Sequence, residues 1–484
     1  MIMAEAKKNT GIIKRIISAV WQRGFFDFDI PLFFFGVAVG FAGLMTSLSA
    51  SATSFSTAWR QVVFSAAGLV IGVLLISHIK IKFLANKRLN HLIWAVMVGL
   101  LLLTAFIGKD PNGSGTNRFI DIGIMMVQPS ELVKIMLVMY FSYKIWRYNK
   151  QFRAVGFEPG YERIRKPARG VEDFGSFLVR EVKNCRRWIF HKPAFYCALT
   201  ELIVIGFLIL ENHFSAVLIV FLTCLLMAAV AGLNKKHLIG FIVIVLALGS
   251  VVYVGMKSHY DSYKEAAAAA ETAGIEVPKN PTDRALQLRD EAEENGDGAR
   301  ALLYKFESKA WNRLIPFFDR DEILSDGSFD SDQQANQALM AIAKGGWRGV
   351  GYMNSTQKLG ALYASNNDAI MAIFLEENGI IGFIGIMALI GLMLFRMLQI
   401  AAAAEDDYQK MLVVGIFLLM SVQMILHMMI NTFMLPYMGV EFPFFSTGGS
   451  STLVAYAELG FVLGVSRGTS IKGISLSRGG KKRS

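Results

Sequence analysis

Ten stretches of the chain stay apolar for the roughly 20 residues that a helix needs to cross a hydrocarbon core of about 30 Å. They lie near 28–48, 60–79, 89–107, 127–146, 193–210, 213–231, 237–256, 368–398, 409–431 and 446–466. Only Glu211-Asn212 separates the fifth from the sixth, which predicts a tight turn at one membrane face. The pattern therefore predicts an all-α polytopic membrane protein with about ten transmembrane helices. Polar residues otherwise gather in short links, with two long exceptions at 147–192 and 257–367. These divide the chain into an N-terminal segment 1–27, spans 1–4 over 28–146, spans 5–7 over 193–256, spans 8–10 over 368–466, and a tail 467–484. The first apolar run is too long for a signal-peptide core and has no clear small-residue cleavage site after it, so it reads as a retained span. Neither a fixed-period repeat nor an inverted resemblance between halves is visible, which argues against the common transporter folds.

Composition agrees with lipid as the solvent: 54% of the residues are apolar and 18% charged, against about 25% charged in an average soluble chain. A soluble multi-domain enzyme and a disordered chain are both excluded. The net charge of +11 would suggest nucleic acid in a soluble protein. In a membrane protein, an excess of Lys and Arg marks the cytoplasmic loops. With ten spans both termini share a side, and placing that side in the cytoplasm puts about two thirds of the Lys and Arg inside. The 147–192 loop, with Arg163, Arg165, Lys166, Arg169, Arg186 and Arg187, is then a basic cytoplasmic anchor on anionic lipid or a docking segment. The 257–367 loop, between spans 7 and 8, is extracytoplasmic. Cys185, Cys197 and Cys224 have no metal spacing and suggest no disulfide framework.

Three clusters could carry chemistry, all on the outer side or just within it. Gly115-Thr116-Asn117-Arg118-Phe119 is followed by Gln128-Pro129-Ser130-Glu131 and Lys134. Pro129 suits the first turn of the fourth span, which places Glu131 and Lys134 three apart on one helix face, close enough to pair. That pair reads equally as structural or as the organiser of an anionic site. The second cluster runs from Gln334 and Gln337 through the glycines Gly345 to Gly351 to Ser355, Thr356 and Lys358. It continues to Asn366-Asn367-Asp368, with Glu376-Glu377 deeper in the eighth span. Asp368, a carboxylate at the mouth of an apolar helix, is the leading general-base candidate; a helix N-cap is its alternative reading. The third, Leu435-Pro436 and then Glu441 to Ser451, has small residues at Gly448 to Ser451 that suit close helix packing or a cavity lining. His213, at the start of the sixth span, reads as a capping or interfacial histidine before it reads as a titrating one.

In this order on a ten-span chain, these clusters resemble the SEDS family of shape, elongation, division and sporulation proteins (RodA, FtsW and the sporulation homologue). The matching stretches are Asn117-Arg118-Phe119, Gln128 to Lys134, Gln334 to Asp368, Glu376-Glu377-Asn378-Gly379 and Pro436 to Ser450. Phe119 stands in place of the family's usual tryptophan, Tyr363-Ala364 in place of its Pro-Glu, and Asn212 where proline is common. The resemblance implies a peptidoglycan glycosyltransferase of the bacterial plasma membrane that polymerises lipid II on the outer face, for elongation, division or sporulation. It implies that Asp368 is the essential aspartate activating the acceptor hydroxyl, that Glu131 and Lys134 form an intramembrane ion pair, and that Arg118 meets pyrophosphate. Gln128, Gln334, Lys358, Ser446 and Ser450 are the further substrate-binding or ion-pair candidates. A class B penicillin-binding protein is the implied partner, with other elongasome or divisome proteins after it, and no nucleic acid. No resident metal is expected, although Mg²⁺ would suit the departing pyrophosphate. A lipid II flippase or other polyprenyl-lipid transporter, and a non-catalytic scaffold for the penicillin-binding protein, remain the alternative readings.

Overall fold

The computed structural model describes residues 27–51, 55–109, 118–123, 126–147, 213–231, 281–295, 330–359 and 367–468, with shorter stretches between 200 and 311. Helix α1 spans Ile30–Ala50. Helix α2, Phe55–Leu69, runs on through a π-helical stretch Val70–Leu75 and a 3-10 turn Ile76–His78. The short α3 (Ile81–Leu84) leads to α4 (Lys87–Ile107). Helices α5 (Pro129–Arg147), α6 (Phe214–Val230), α7 (Pro281–Glu294), α8 (Asp330–Gly345), α9 (Ile370–Ala403), α10 (Asp407–Asn431) and α11 (Gly449–Ser466) follow. Eight of the ten apolar runs thus coincide with these helices. The run at 193–210 is described only in part, helical at 200–201, 203–206 and 208, and most of 237–256 lies outside the described residues. So do the two terminal segments and, beyond Arg147, the basic loop.

Among the described residues five helices are long and apolar enough to cross a membrane: α1, α2 through His78, α4, α9 and α10. The protein is a multi-pass membrane protein built mainly of helices. Helices α5 and α11 are less apolar because they meet protein: nearly all of α5 from Pro129 to Ile145 and most of α11 are buried. One correction to the all-helical expectation is a small antiparallel hairpin between α4 and α5, β1 (Ile120–Asp121) against β2 (Met126–Val127). Its polar residues Lys109 and Asp121 pair at 3.4 Å.

Helix starts follow local chemistry. Asp29 accepts from Leu32 N at 2.9 Å ahead of Pro31, Asn86 from Arg88 N at 2.9 Å, and Asp406 from Gln409 N at 2.8 Å, each satisfying a backbone donor that a first turn leaves free. Helix α11 is the hub, packed by α1, α2, α5, α9 and α10. Glycine allows the closest approach: a Cβ on Gly72 would strike Tyr456 O, and one on Gly460 would strike Gly72 O. The π-helical stretch of α2 falls at this crossing, where a widened turn lets two backbones meet.

Helix α9 is broken near its N-terminal end. Gly379 has φ 64° and ψ −172°, and the glycine-rich segment after α8 fills the gap. Val350 N donates to Glu376 O at 2.9 Å, Gly351 N to Glu377 O at 3.0 Å, Ile380 N to Gly346 O at 2.9 Å, and Ile381 N to Trp347 O at 3.1 Å. The break is tolerated because another segment of protein satisfies the freed backbone groups. Gly349 holds the seam with φ 75°, and a Cβ there would overlap Glu377 O. Gly349→Ala is therefore expected to lower stability by about 2 kcal/mol or more. Gly385→Ala, within α9 and with nothing within 4 Å of the new methyl, is expected to cause no such loss. Thermal unfolding of both variants in detergent checks the contrast.

Candidate active site

Asp368 sits half-buried in the turn that opens α9. The cap position of the helix is held by Ala369, one residue after Asp368. The aspartate is instead seated by the loop 432–448 that joins α10 to α11. Its carboxylate packs on Gly439, where a Cβ would stand 2.7 Å from Oδ2; any larger residue there would displace it. Asn431, at the end of α10, donates to the Asp368 carbonyl at 2.9 Å. Ser446 Oγ donates to the neighbouring Asn367 carbonyl at 2.9 Å and accepts from Phe442 N at 2.8 Å. Thr447 Oγ1 donates to Asn367 Oδ1 at 2.6 Å.

The loop is itself stiff. Phe442, Phe445 and Phe374 pack edge to face, and His427 Nδ1 lies 2.6 Å from Val440 O. Ser215, in the first turn of α6, donates to Gly439 O at 2.6 Å. Phe433 and Phe444 take left-handed conformations, φ 55° and 69°. Such backbone is costly for bulky residues and is held only where its surroundings determine it.

Behind this seat lies buried charge. Lys134 Nζ and Glu131 Oε1 are 2.7 Å apart in the first turns of α5, both almost fully enclosed. Two more carboxylates face the pair: Glu441 from the loop and Glu458 from α11. The start of α5 is tied in by Gln128, whose N–H donates to Ser450 Oγ at 3.3 Å and whose amide nitrogen lies 3.4 Å from His213 Nε2. His213 precedes α6 and forms no side-chain cap bond to it. Arg118 stands half-buried at the foot of the β1–β2 hairpin, its Nε enclosed without a partner among the described residues.

A second polar network braces the N-terminal end of α9 from the other side. Lys358 Nζ contacts Glu377 Oε1 at 2.8 Å and Ser49 Oγ at 2.9 Å, and Ser49 Oγ in turn donates to Glu377 at 2.6 Å. Glu376 accepts from Ser355 Oγ and, at 3.1 Å, from Thr356 N, with Lys344 3.4 Å away. Every one of these contacts to Glu377 falls on Oε1, and its buried Oε2 has no partner among the described residues; the paired oxygens make the two carboxylates structural clamps. They fasten the glycine-rich segment and the end of α1 to the helix that carries Asp368.

The sequence profile of the FtsW/RodA/SpoVE family, described as cell cycle protein, matches residues 28–271 and 301–471. The chain belongs to the FtsW/RodA/SpoVE family. It is 27% identical over 437 residues to the probable peptidoglycan glycosyltransferase FtsW of Saccharophagus degradans, covering 87% of this chain and 86% of that protein. With the protein of the same name from Nitrosococcus halophilus it shares 27% identity over 414 residues, 84% of this chain and 82% of the relative. Among solved structures it resembles a chain of a peptidoglycan synthase complex (TM-score 0.59, 20% identity, 91% of this chain and 98% of the other). It also resembles the rod shape determining protein RodA of Thermus thermophilus (TM-score 0.51, 18% identity, 91% and 97%). At these identities the two structures establish a shared fold.

In this FtsW/RodA/SpoVE family member the structure gathers Asp368, Ser446, Ser450, Gln128, Glu131 and Lys134 around the loop 432–448. Lys358 belongs to the clamp on Glu377, the ion-pair side of its expectation, and Gln334 lies half-buried along α8. Glu441, Glu458, Asn431 and Gly439 were not foreseen as site residues. Glu458 had a signal, a lone acid in an apolar run; Gly439 and Asn431 act through backbone and had none. Among the described residues no three His, Cys, Asp or Glu side chains converge on a resident metal, and no step is derived through one. The enclosure of Lys134 sets a test. Lys134→Met leaves Glu131 buried without its counter-charge and is expected to cost about 3–5 kcal/mol, whereas Glu131→Leu combined with Lys134→Met recovers much of that loss. Thermal unfolding of the single and double variants in detergent measures the difference.

Proposed function

We propose that the chain is a peptidoglycan glycosyltransferase that polymerises lipid II on the outer face of the bacterial plasma membrane. The observation that carries this reading is the seating of Asp368. A carboxylate stands at the mouth of α9, one residue ahead of the cap position and seated by Gly439, Asn431 and the Ser446 bridge. The relatives named as peptidoglycan glycosyltransferases supply the chemistry to which such a carboxylate is suited.

In the proposed step the 4-hydroxyl of the acceptor sugar gives its proton to Asp368 as its oxygen attacks the anomeric carbon of the donor. The bond from that carbon to the pyrophosphate oxygen breaks, and the pyrophosphate leaves with the electron pair on its polyprenyl chain. Arg118, whose Nε is enclosed without a partner among the described residues, is the cation we assign to the departing charge. The topology that goes with this reading has ten spans, both termini in the cytoplasm and 257–367 outside. The domain limits are those the apolar pattern gives. A class B penicillin-binding protein is the partner we assign, in keeping with the likeness to a chain of a peptidoglycan synthase complex.

Purified protein, with and without a class B penicillin-binding protein, is to be supplied with lipid II and Mg²⁺ and scored for glycan chains. Polymer is expected from the wild type with its partner. Asp368→Asn, which keeps the shape and removes the base, is expected to lower the rate at least about 100-fold while lipid II still binds. Polymer at the wild-type rate from Asp368→Asn would overturn the base assignment. Translocation of lipid II across vesicles by a wild type that forms no polymer would favour the flippase.

A further inference from the structure

Three carboxylates, Glu131, Glu441 and Glu458, face one ammonium, Lys134, inside the bundle. Lys134 can neutralise one of them, and at 2.7 Å it holds Glu131. Glu441 is left over, and its place is specific. It follows Gly439, the residue that seats Asp368, by two positions. Its Oε1 lies beside Gly448, where a Cβ would stand 3.2 Å away, and the Ser451 hydroxyl is in hydrogen-bonding reach of the carboxyl. Its Oε2 is enclosed and has no hydrogen-bond partner among the described residues. The charged groups that face it are Glu131 and Lys134 from α5 and Asp368 from the head of α9. An ionised carboxylate in that position would have two like charges against one opposite one, and an oxygen with no donor.

We infer that Glu441 is a positioning residue held as a neutral carboxylic acid, and that loss of its proton draws Lys134 from Glu131 and shuts the site. The inference rests on the glycosyltransferase reading. With its proton, Glu441 adds no anion beside the Lys134–Glu131 pair and leaves Asp368 as the carboxylate that takes up the acceptor's proton. Without it, a second anion competes for Lys134 and crowds the seat of Asp368 from behind Gly439. Burial first, and the charge of Glu131 second, push the Glu441 carboxyl up to about 8. The sign follows: a raised acid is neutral below that value and ionises above it, so the site is intact at lower pH and is lost as pH rises through about 8.

The experiment is the pH dependence of lipid II polymerisation by the complex with its penicillin-binding protein, from about pH 6 to about pH 10, for wild type, Glu441→Gln and Glu441→Asp. Glutamine keeps the shape and cannot ionise, so the alkaline fall is expected to move up by about one pH unit or more, or to vanish. Aspartate keeps an ionisable group and is expected to retain an alkaline fall. Thermal unfolding of each variant shows that it is folded before its profile is read. Wild-type polymerisation with the same alkaline fall in Glu441→Gln, or a uniform loss at every pH, would overturn the inference and leave the glycosyltransferase reading standing. No polymer from the wild-type complex at any pH would overturn both.

Discussion

A lysine and a glutamate 2.7 Å apart, shut inside a helical bundle, constrain everything placed around them. A buried charge persists only when it is matched, and a matched pair has to be kept from water by tight packing. This is why α5 is enclosed along nearly its whole length, why α11 packs behind it as the hub, and why the loop 432–448 lies over it as a stiff aromatic cover. The same loop seats Asp368. The candidate site is therefore the rim of a structure whose interior has to stay dry and electrically balanced.

Two braces meet on the first turns of α9. On one side the loop after α10 holds the backbone at Asn367 and Asp368; on the other, Lys358, Ser49, Ser355 and Thr356 hold Glu376 and Glu377. Just beyond Glu377 the helix is broken at Gly379, with the glycine-rich segment as its substitute backbone partner. Only a short, bonded-in piece of helix lies between the break and Asp368. The position of the carboxylate is consequently set by the loops on either side and by the clamp, more than by the long inner part of α9.

Much of this was legible in the sequence because lipid imposes a strong pattern. Apolar runs placed eight helices to within a few residues, and spacing alone paired Glu131 with Lys134. The seating of Asp368 was not legible, because it depends on Gly439 and on carbonyl groups that every residue possesses. The role of the glycines at 345–351 was hidden for a related reason. They suggested a ligand approached by backbone, whereas the backbone they admit is that of α9 itself. Glu441 stood in plain view in the third cluster, but nothing in the linear order says that a loop glutamate folds back onto a lysine some 300 residues earlier.

At the opposite end of the bundle, Arg396 of α9 grips Asp29 with two nitrogens, at 3.0 and 2.7 Å, while the Asp29 N–H donates to Ser466 Oγ at 2.9 Å. One residue at the head of the first helix thus joins the foot of α9 to the last turn of the last helix, across a separation of 437 positions. During synthesis, Asp29 enters the bilayer long before either partner exists. Helix α1 therefore meets these partners only after α9 and α11 have been made, and a chain that stops short of Ser466 would lack the fastening between α1 and α11.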